Sequence, residues 1–377
     1  MNNNERKEAR YQRRKAKREE KRLKVLETYN FERVTSPDAL YRAAKEARRE
    51  VNWKASVQRY NMNLLRNVLK TSKELRAGQD IRKGFIEFDL MERGKPRHIQ
   101  SVHFYERVVQ KSLCTNALIP HLTRSLIFDN GASIKYKGIH FAFERVKTHL
   151  RRHFREHGRE GYVLLVDFKG YFANIEHAPI LEIYSAAFGE DPELVRLASS
   201  FVHAFGDKGL GLGSETSQIN AVAFASSIDH YIKEVLRVKY YGRYMDDSYF
   251  ILPTLEQAKD VLRAIGEKYT EKGITMSPNK TSIVKLTRGF TFLKSHFSIT
   301  ETGRIVARPC RQAAVRQRRK LKKFRKFLDR ELMTMEHIRS SYMSWRGFIA
   351  HKNAGRTLYN MDALYTKLFG ETPITKK

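Results

Sequence analysis

The sequence predicts an α+β protein in which an antiparallel sheet carries helices on one face. Three observations lead there. "YVLLV" (162–166) is an apolar, β-favouring run that ends on an acid, Asp167. "VKYYGRYMDDSYFIL" (238–252) alternates as a hairpin, with Asp246 and Asp247 near its turn. Stretches of helical apolar spacing separate and follow these strands, in the order strand, helix, helix, hairpin, helix, strands.

The elements follow in order. Residues 1 to about 30 are dominated by charge, as in "ERKEARYQRRKAKREEKRLK". Such a segment reads equally as a solvated helix, a disordered arm or a basic arm that orders on RNA. Ser36-Pro37-Asp38 is a helix start, with Ser as the cap and Pro at the first helical position, and helices continue to about residue 70. "GFIEFDLMERGKPRHIQSV" alternates like a hairpin, with Gly94 near its turn, and "FYERVVQKSLCTNALIPHL" is helical. A Gly-bearing basic loop, "DNGASIKYKGIH", then leads into another helix. Helices are expected around 178–188 and 215–237, and from the capping pair Thr254 and Gln257 to about 272. "TSIVKL" and "FTFLKSHFSI" read as two further strands. Beyond Arg308 the chain returns to basic helix, in which Val315, Leu321, Phe324 and Leu328 keep helical spacing. No internal repeat or Gly/Ser linker divides the chain.

With 377 residues, 41% of them hydrophobic, the chain can build one large or two modest cores. A formal charge of +31 points to a polyanionic partner, of which nucleic acid is the commonest; a ribosomal or membrane-surface role shares that signature. Two cysteines, Cys114 and Cys310, exclude a disulfide framework and a multi-cysteine zinc module, and fit a reducing cytoplasm. No window approaches the roughly 18 apolar residues of a membrane span, and no signal core opens the chain, so a soluble cytoplasmic protein is expected.

The acids carry the chemistry. Nucleotidyl transfer uses two divalent cations held by convergent carboxylates, because hard cations such as Mg²⁺ prefer oxygen ligands. Asp167 at a strand end and the Asp246-Asp247 pair are far apart in sequence, yet neighbouring strands of one sheet bring them together. An Asp-Asp pair in a turn is ordinarily just a solvated turn. In "RYMDDSYF" the setting is aromatic and apolar, where an acid without a cation is costly.

On these residues the chain resembles the reverse transcriptase family. Tyr244-Met245-Asp246-Asp247 matches the Tyr-x-Asp-Asp of its palm, and "LLVDFKGYFANIEH" its first catalytic motif. "RHIQSVHFYERVVQKSL", with Arg-Val-Val-Gln at 107–110, and "NGASIKYKGIHFAFERVK" resemble two fingers motifs. "GLGLGSETSQINAVAFASSIDHYIKE" is similar to the motif beneath the template and incoming nucleotide. "GITMSPNKTSI" and "GFTFLKSHF" resemble the lysine-bearing motif and the primer grip, and "SYMSWRGFIAHKNAGRTL" a bacterial thumb segment. The likeness begins near residue 36 and covers nearly all the rest of the chain. Each pattern alone is weak; their order makes coincidence very improbable.

The resemblance implies a right-hand polymerase: a basic arm (1–35), a helical N-terminal region with fingers (36–160), a palm (161–300) and a basic helical thumb (301–377). It implies two Mg²⁺ ions per site, with Mn²⁺ as a substitute, on Asp167, Asp246, Asp247 and the Phe168 carbonyl. Lys280 would protonate pyrophosphate, although a plain surface lysine fits it nearly as well. Phe172 stands at the family's steric gate against a ribose 2′-OH, which disfavours an RNA-dependent RNA polymerase; ordinary core packing is the other reading. Lys95 and Arg97 would grip the triphosphate. Phe292, Leu293 and Lys294 would form the primer grip, and the basic arm and thumb would bind template–primer or structured RNA.

One departure stands out. Where many relatives have Leu-Pro-Gln-Gly, this chain has Leu210-Gly211-Leu212-Gly213, followed by Ser217-Gln218. Leu212 removes a polar contact near the nucleotide, which bears on selection, and leaves Gly213 and Gln218 as nucleotide-facing candidates. This form is most similar to enzymes of diversity-generating retroelements and to bacterial or prophage reverse transcriptases, some of them antiphage. The implied partners are a template or non-coding RNA, the DNA primer and product, and deoxynucleoside triphosphates, with no membrane. An intron-type maturase and a non-catalytic RNA-binding scaffold are the alternatives; the absent zinc and endonuclease modules weigh against the first, the intact acids against the second. His203 and His351 lack companions at metal spacing and read as structural.

Overall fold

The structure, a computed structural model, describes residues 2–92 and 94–373, with Glu92 and Lys95 as backbone only. In chain order come α1 (Asn3–Thr28), α2 (Phe31–Thr35), α3 (Pro37–Ala47), α4 (Ala55–Met62), α5 (Leu64–Arg76), β1 (Phe85–Glu92), β2 (Lys95–Val102), α6 (Phe104–Leu113), α7 (Ile119–Leu122) and α8 (Ile139–His157). Next are β3 (Tyr162–Val166), α9 (Tyr171–Asn174), α10 (His177–Phe188), α11 (Pro192–His203), α12 (Glu215–Phe224), α13 (Ser226–His230), β4 (Tyr240–Tyr244), β5 (Asp247–Leu252) and α14 (Leu255–Glu271). β6 (Ser282–Lys285), β7 (Phe290–Phe292), β8 (Ser295–Ile299), β9 (Ile305–Pro309), α15 (Arg311–Leu328), α16 (Met335–Ala350) and α17 (Gly355–Phe369) complete the chain. No described helix is long and apolar enough to cross a membrane.

The α+β expectation holds, with three antiparallel sheets where one was expected: β1-β2, β4-β5-β3-β6 and β7-β8-β9. One of the two further sheets is the β1-β2 hairpin read from "GFIEFDLMERGKPRHIQSV"; the other comes from "FTFLKSHFSI", which is a hairpin and not a single strand. Leu293 and Lys294 take φ of 45° and 62° at its turn, the left-handed geometry that suits a two-residue hairpin loop. β9 and α11 had no strong sequence signal and are additional. The expected 215–237 helix breaks after Phe224 and ends in a π-turn over Tyr231–Val235, and α6 likewise runs into a π-turn at Cys114–Leu118. Ser36 caps α3, with its Oγ accepting from the Ala39 N–H (3.3 Å) and Pro37 at the first turn, as read from the sequence.

The chain divides into two compact units. Residues 1–136, 168–236 and 265–276 form the first, and 137–167, 237–264 and 277–377 the second. In the first, helices enclose the core and the β1-β2 hairpin is paired from Phe85↔Val102 to Glu92↔Lys95. The second holds the other two sheets. There α8 buries Ala142, Phe143, Val146 and Leu150 with Val163, Tyr240, Tyr249 and Ile251 of the four-stranded sheet and Phe290, Phe292 and Phe297 of the three-stranded one. A separate cluster of Leu321, Phe324, Ile338, Tyr342, Met361 and Tyr365 packs the last three helices together. Leu321 and Phe324 thus keep the burial expected from their spacing, while Val315 and Leu328 are half-buried.

Asn353 joins the turn after α16 to β9: its N–H donates to the Ala307 carbonyl (2.7 Å), and its Oδ1 accepts from the Ala307 N–H (2.9 Å). Ala307 is only 2% exposed, so no water can replace that acceptor. Asn353→Ala is expected to cost about 1–3 kcal/mol, read as a lower urea midpoint. An unchanged midpoint would show that this joint carries no load.

Candidate active site

The site is built by strand register. β3 pairs antiparallel with β5, Val166 opposite Ser248, so the next residue of β3, Asp167, falls beside Asp247, the first residue of β5. β4 and β5 form a hairpin closed at Tyr244↔Asp247, with Met245 and Asp246 as its two-residue loop. Met245 has φ of 59°, a left-handed conformation that a non-glycine residue adopts at a cost. Arg243, 1% exposed, donates from Nη1 to the Met245 carbonyl (3.1 Å) and so holds this turn. The strain and the buried guanidinium both sit where the acid pair is aimed.

Asp167, Asp246 and Asp247 are half-buried and crowded. Burial, then the charges of Asp246 and Asp167, push the Asp247 carboxyl up to about 6, against opposing effects of Lys280 and Lys294. Lys280 is held by the turn 277–281, where Ser277 N–H and Thr281 Oγ1 also donate to the Asp167 carbonyl (2.8 and 3.3 Å). Its ammonium lies 2.7 and 2.8 Å from the two Asp167 carboxylate oxygens, and this ion pair raises the lysine's pKa. Lys280 is exposed, with its ammonium engaged by Asp167.

Lys294 and Phe292 join the same unit through the β7-β8 hairpin. The contact is Tyr249, which lies across Gly242. A Cβ at Gly242 would stand 2.8 Å from the Tyr249 ring, so only glycine leaves it room. The ring meets Phe292 edge-on at 5.0 Å, and its hydroxyl is 3.0 Å from Nδ1 of buried His149 on α8. One tyrosine thus ties the acid-bearing hairpin to the hairpin of residues 292–294. Arg243, Gly242 and Tyr249 were not singled out from sequence, although "GRYMDD" holds the clue of a glycine and a cation in an apolar strand.

The donor chemistry suits hard divalent cations: three carboxylates, no sulfur or imidazole, and one acid whose pKa is raised by burial and then by its neighbours' charge. The acids are neighbours and not a closed cage. Among the described residues no three His, Cys, Asp or Glu side chains already stand at metal-ligand spacing, and both Asp167 oxygens are engaged by Lys280. His351 pairs with His140 at 4.0 Å between ring centroids and His203 with His177 at 5.8 Å, neither in a larger donor group.

The residues expected to face the nucleotide lie in the first unit. The Phe172 carbonyl accepts from Leu210 N–H (2.8 Å), the Leu212 carbonyl from Gln100 N–H of β2 (3.0 Å), and the Phe172 side chain is half-buried, not core. Gly213, at φ of 113°, lies against β2, where a Cβ would be 3.2 Å from the Gln100 carbonyl. Ser214 Oγ donates to Gln110 of the Arg-Val-Val-Gln motif (2.9 Å), a partner missed from sequence. Gln218 is exposed on α12 and Arg97 exposed on β2. The Lys95 side chain lies outside the described residues. Phe168 packs its ring on Tyr269 (4.3 Å), and the bridge Phe168↔Met276 leaves its carbonyl out of the flanking hydrogen bonds, Lys169 N–H to Thr275 O and Ser277 N–H to Asp167 O.

The Leu-Gly-Leu-Gly departure has a packing cause. A Cβ at Gly211 would lie 2.0 Å from the Phe205 ring, which is itself stacked on Phe85 at 4.9 Å. Phe205 occupies the space that a proline ring at position 211 would need.

A mixed fold whose antiparallel sheet ends in converging carboxylates, with further sheets and helices around it, defines a right-hand polymerase. The family profile described as reverse transcriptase (RNA-dependent DNA polymerase) matches residues 81–297, more than half of the chain, and the chain belongs to that family. No curated protein matches the sequence. Among solved structures, apo telomerase from Candida tropicalis, truncated from its C-terminal domain, aligns at 14% identity and TM-score 0.47 over 59% of this chain and 54% of that one. Telomerase from Candida albicans with a fragment of telomeric RNA aligns at 12% identity and TM-score 0.48, over 78% and 56%. The chain thus spans little more than half the length of these structures.

Two outcomes are expected. For Asp247, a folded pKa near 6 against an ordinary 3.8 means that the native state binds the extra proton, so stability falls as pH rises between those values. In chelator, Asp247→Asn should therefore raise the unfolding free energy at pH 7.5, by at most about 3 kcal/mol, and by almost nothing at pH 3.5; a lower stability at pH 7.5 would contradict the burial and crowding described. Gly211→Pro should lower stability sharply and regain much of it when combined with Phe205→Ala; a harmless single substitution would rule out the packing cause.

Proposed function

We propose that this chain is an RNA-directed DNA polymerase that adds deoxynucleotides by two-metal nucleotidyl transfer. The single observation that carries the reading is the register that brings Asp167 to Asp247, with Lys280 and Lys294 acting on the same acids. Asp167, Asp246 and Asp247 would hold two Mg²⁺ ions, or Mn²⁺ in their place, with the Phe168 carbonyl as a further ligand. Such ions lower the pKa of the primer hydroxyl and neutralise the leaving pyrophosphate. Lys280 must release Asp167 before that carboxylate can serve a cation, and its ammonium then supplies a proton for pyrophosphate. Lys95 and Arg97 bind the triphosphate, and Phe172 excludes a ribose 2′-OH by bulk. Leu212 offers no amide to the nucleotide, so selection there rests on shape and on the main chain of 210–213. Phe292, Leu293 and Lys294 grip the primer, their distance from the acids held by Tyr249.

The proposed division is a basic arm (1–35), fingers with the helical N-terminal region (36–160), palm (161–300) and thumb (301–377). The substrate is a dedicated template or non-coding RNA. Leu210–Gly213 and Ser217-Gln218 favour a bacterial or prophage setting, in a diversity-generating retroelement or an antiphage system, with the protein in the cytoplasm.

The test is primer extension on an RNA template with deoxynucleotides and Mg²⁺. Wild type should extend the primer, and Asp246→Asn/Asp247→Asn should lose about a thousandfold or more. No wild-type product, or undiminished product from the double variant, sinks the reading. Phe172→Ala should raise ribonucleotide use relative to deoxynucleotide by about 10–100-fold; unchanged discrimination would assign Phe172 to packing alone.

A further inference from the structure

The charged N-terminal segment is a single helix, α1, closed at its start by a reciprocal Asn2/Glu5 capping box and burying no residue. It is held to the rest of its unit near its C-terminal end, where Arg22 pairs with Glu190 (2.6 Å) and Arg124 donates to the Arg18 carbonyl (3.4 Å). Its charges are sorted. Lys7, Arg10, Tyr11, Arg14, Lys15 and Arg18 follow the spacing i, i+3, i+4, i+7, i+8, i+11, so they share one face and line one open groove. The carboxylates lie elsewhere around the helix and are mostly used internally: Glu8 by Gln12 (2.6 Å), Glu19 by Arg22 (2.7 Å) and Glu20 by Lys24 (2.6 Å).

The cations of the shared face have no carboxylate partner among the described residues. Arg10, Arg14 and Arg18 stack at i, i+4, i+8, as do Lys7 and Lys15 on either side of Tyr11. Like charges at that spacing destabilise a helix. Such rows are tolerated on an exposed helix and become favourable only against a polyanion. At about 1.5 Å of rise per residue the face presents cations along roughly 16 Å, over which a nucleic-acid strand offers several phosphates. A membrane-surface helix would need an apolar face opposite, and a protein partner an apolar anchor; this stretch has neither.

We infer that this face of α1 is a docking surface for the phosphates of double-helical RNA. The inference deepens the RNA-partner part of the proposed function and rests on it for the choice of RNA over DNA. It assigns RNA docking to a surface in the first unit, whereas the catalytic acids lie in the second. Double-stranded RNA is read largely through phosphates and 2′-hydroxyls, which five cations and the hydroxyl of Tyr11, a residue 57% exposed, are equipped to contact.

The experiment is fluorescence anisotropy with a labelled RNA hairpin of about 20 base pairs and a DNA duplex of the same sequence, using the full chain. Three proteins are compared: wild type, Arg10→Gln/Arg14→Gln/Arg18→Gln, and Arg6→Gln/Arg13→Gln/Lys17→Gln. The third loses the same charge from the neighbouring flank, centred about 80° around the helix, and glutamine keeps helix propensity in both. The first triple should weaken hairpin binding at least tenfold and reduce the slope of log affinity on log salt by about 2 to 3; the second should change affinity less than threefold. Wild type should prefer the RNA hairpin over the DNA duplex. Equal losses from the two triples, no loss from the first, or no RNA preference overturns the inference. Extension of a short pre-annealed primer by wild type is measured in parallel. If wild type does not extend the primer, the polymerase reading fails, while the binding comparison still decides this one.

Discussion

Antiparallel pairing of β3 with β5, in the register that sets Val166 against Ser248, forces Asp167 and Asp247 onto neighbouring strand ends. A slip of one residue would turn every β3 side chain to the opposite face and separate the acids. The register is secured by burial, since Val163, Leu164 and Val166 are at most 2% exposed and tolerate no exchange with solvent. The hydrophobic effect thus holds the acids together against their own repulsion, and the raised pKa of Asp247 reflects its burial first and that repulsion second.

The surroundings use a few unusual residues to make this arrangement stiff. Arg243 holds the carbonyl of a turn residue in left-handed geometry, and Gly242 makes room for Tyr249. Tyr249 in turn contacts Phe292 and His149, so the four-stranded sheet, the β7-β8 hairpin and α8 share one contact chain. Rigid support of this kind is what a site needs if reacting groups are to be held to fractions of an ångström. Around residue 211 the same logic acts through sterics, with the Phe205–Phe85 stack leaving room only for glycine.

Much of this was legible from residues alone. Strands β3, β4 and β5 announced themselves through apolar β-branched and aromatic runs, and the cap at Ser36 through its Ser-Pro pair. The acids could be named because an Asp-Asp pair in an aromatic hairpin is chemically odd. What escaped was set by tertiary contact. The hairpin inside "FTFLKSHFSI" turns on Leu293-Lys294, a pair with no turn preference, whose left-handed φ values are imposed by pairing on both sides. β9 is short and half-polar, and becomes a strand because β8 and Asn353 satisfy its backbone. The roles of Gly242 and Phe205 depend on neighbours distant in sequence, and the Lys280–Asp167 ion pair on a turn whose position no local pattern states.

The central claim is that the crowded acids form a divalent-cation site that Lys280 partly neutralises. Calorimetric titration of Mn²⁺ into the full chain tests it most directly, in wild type, Lys280→Ala and Asp247→Asn. The account predicts saturable binding in wild type, tighter binding once the competing ammonium is removed, and weak or absent binding without the Asp247 carboxylate. Binding that is absent from wild type and Lys280→Ala alike, or that is indifferent to Asp247→Asn, would contradict it.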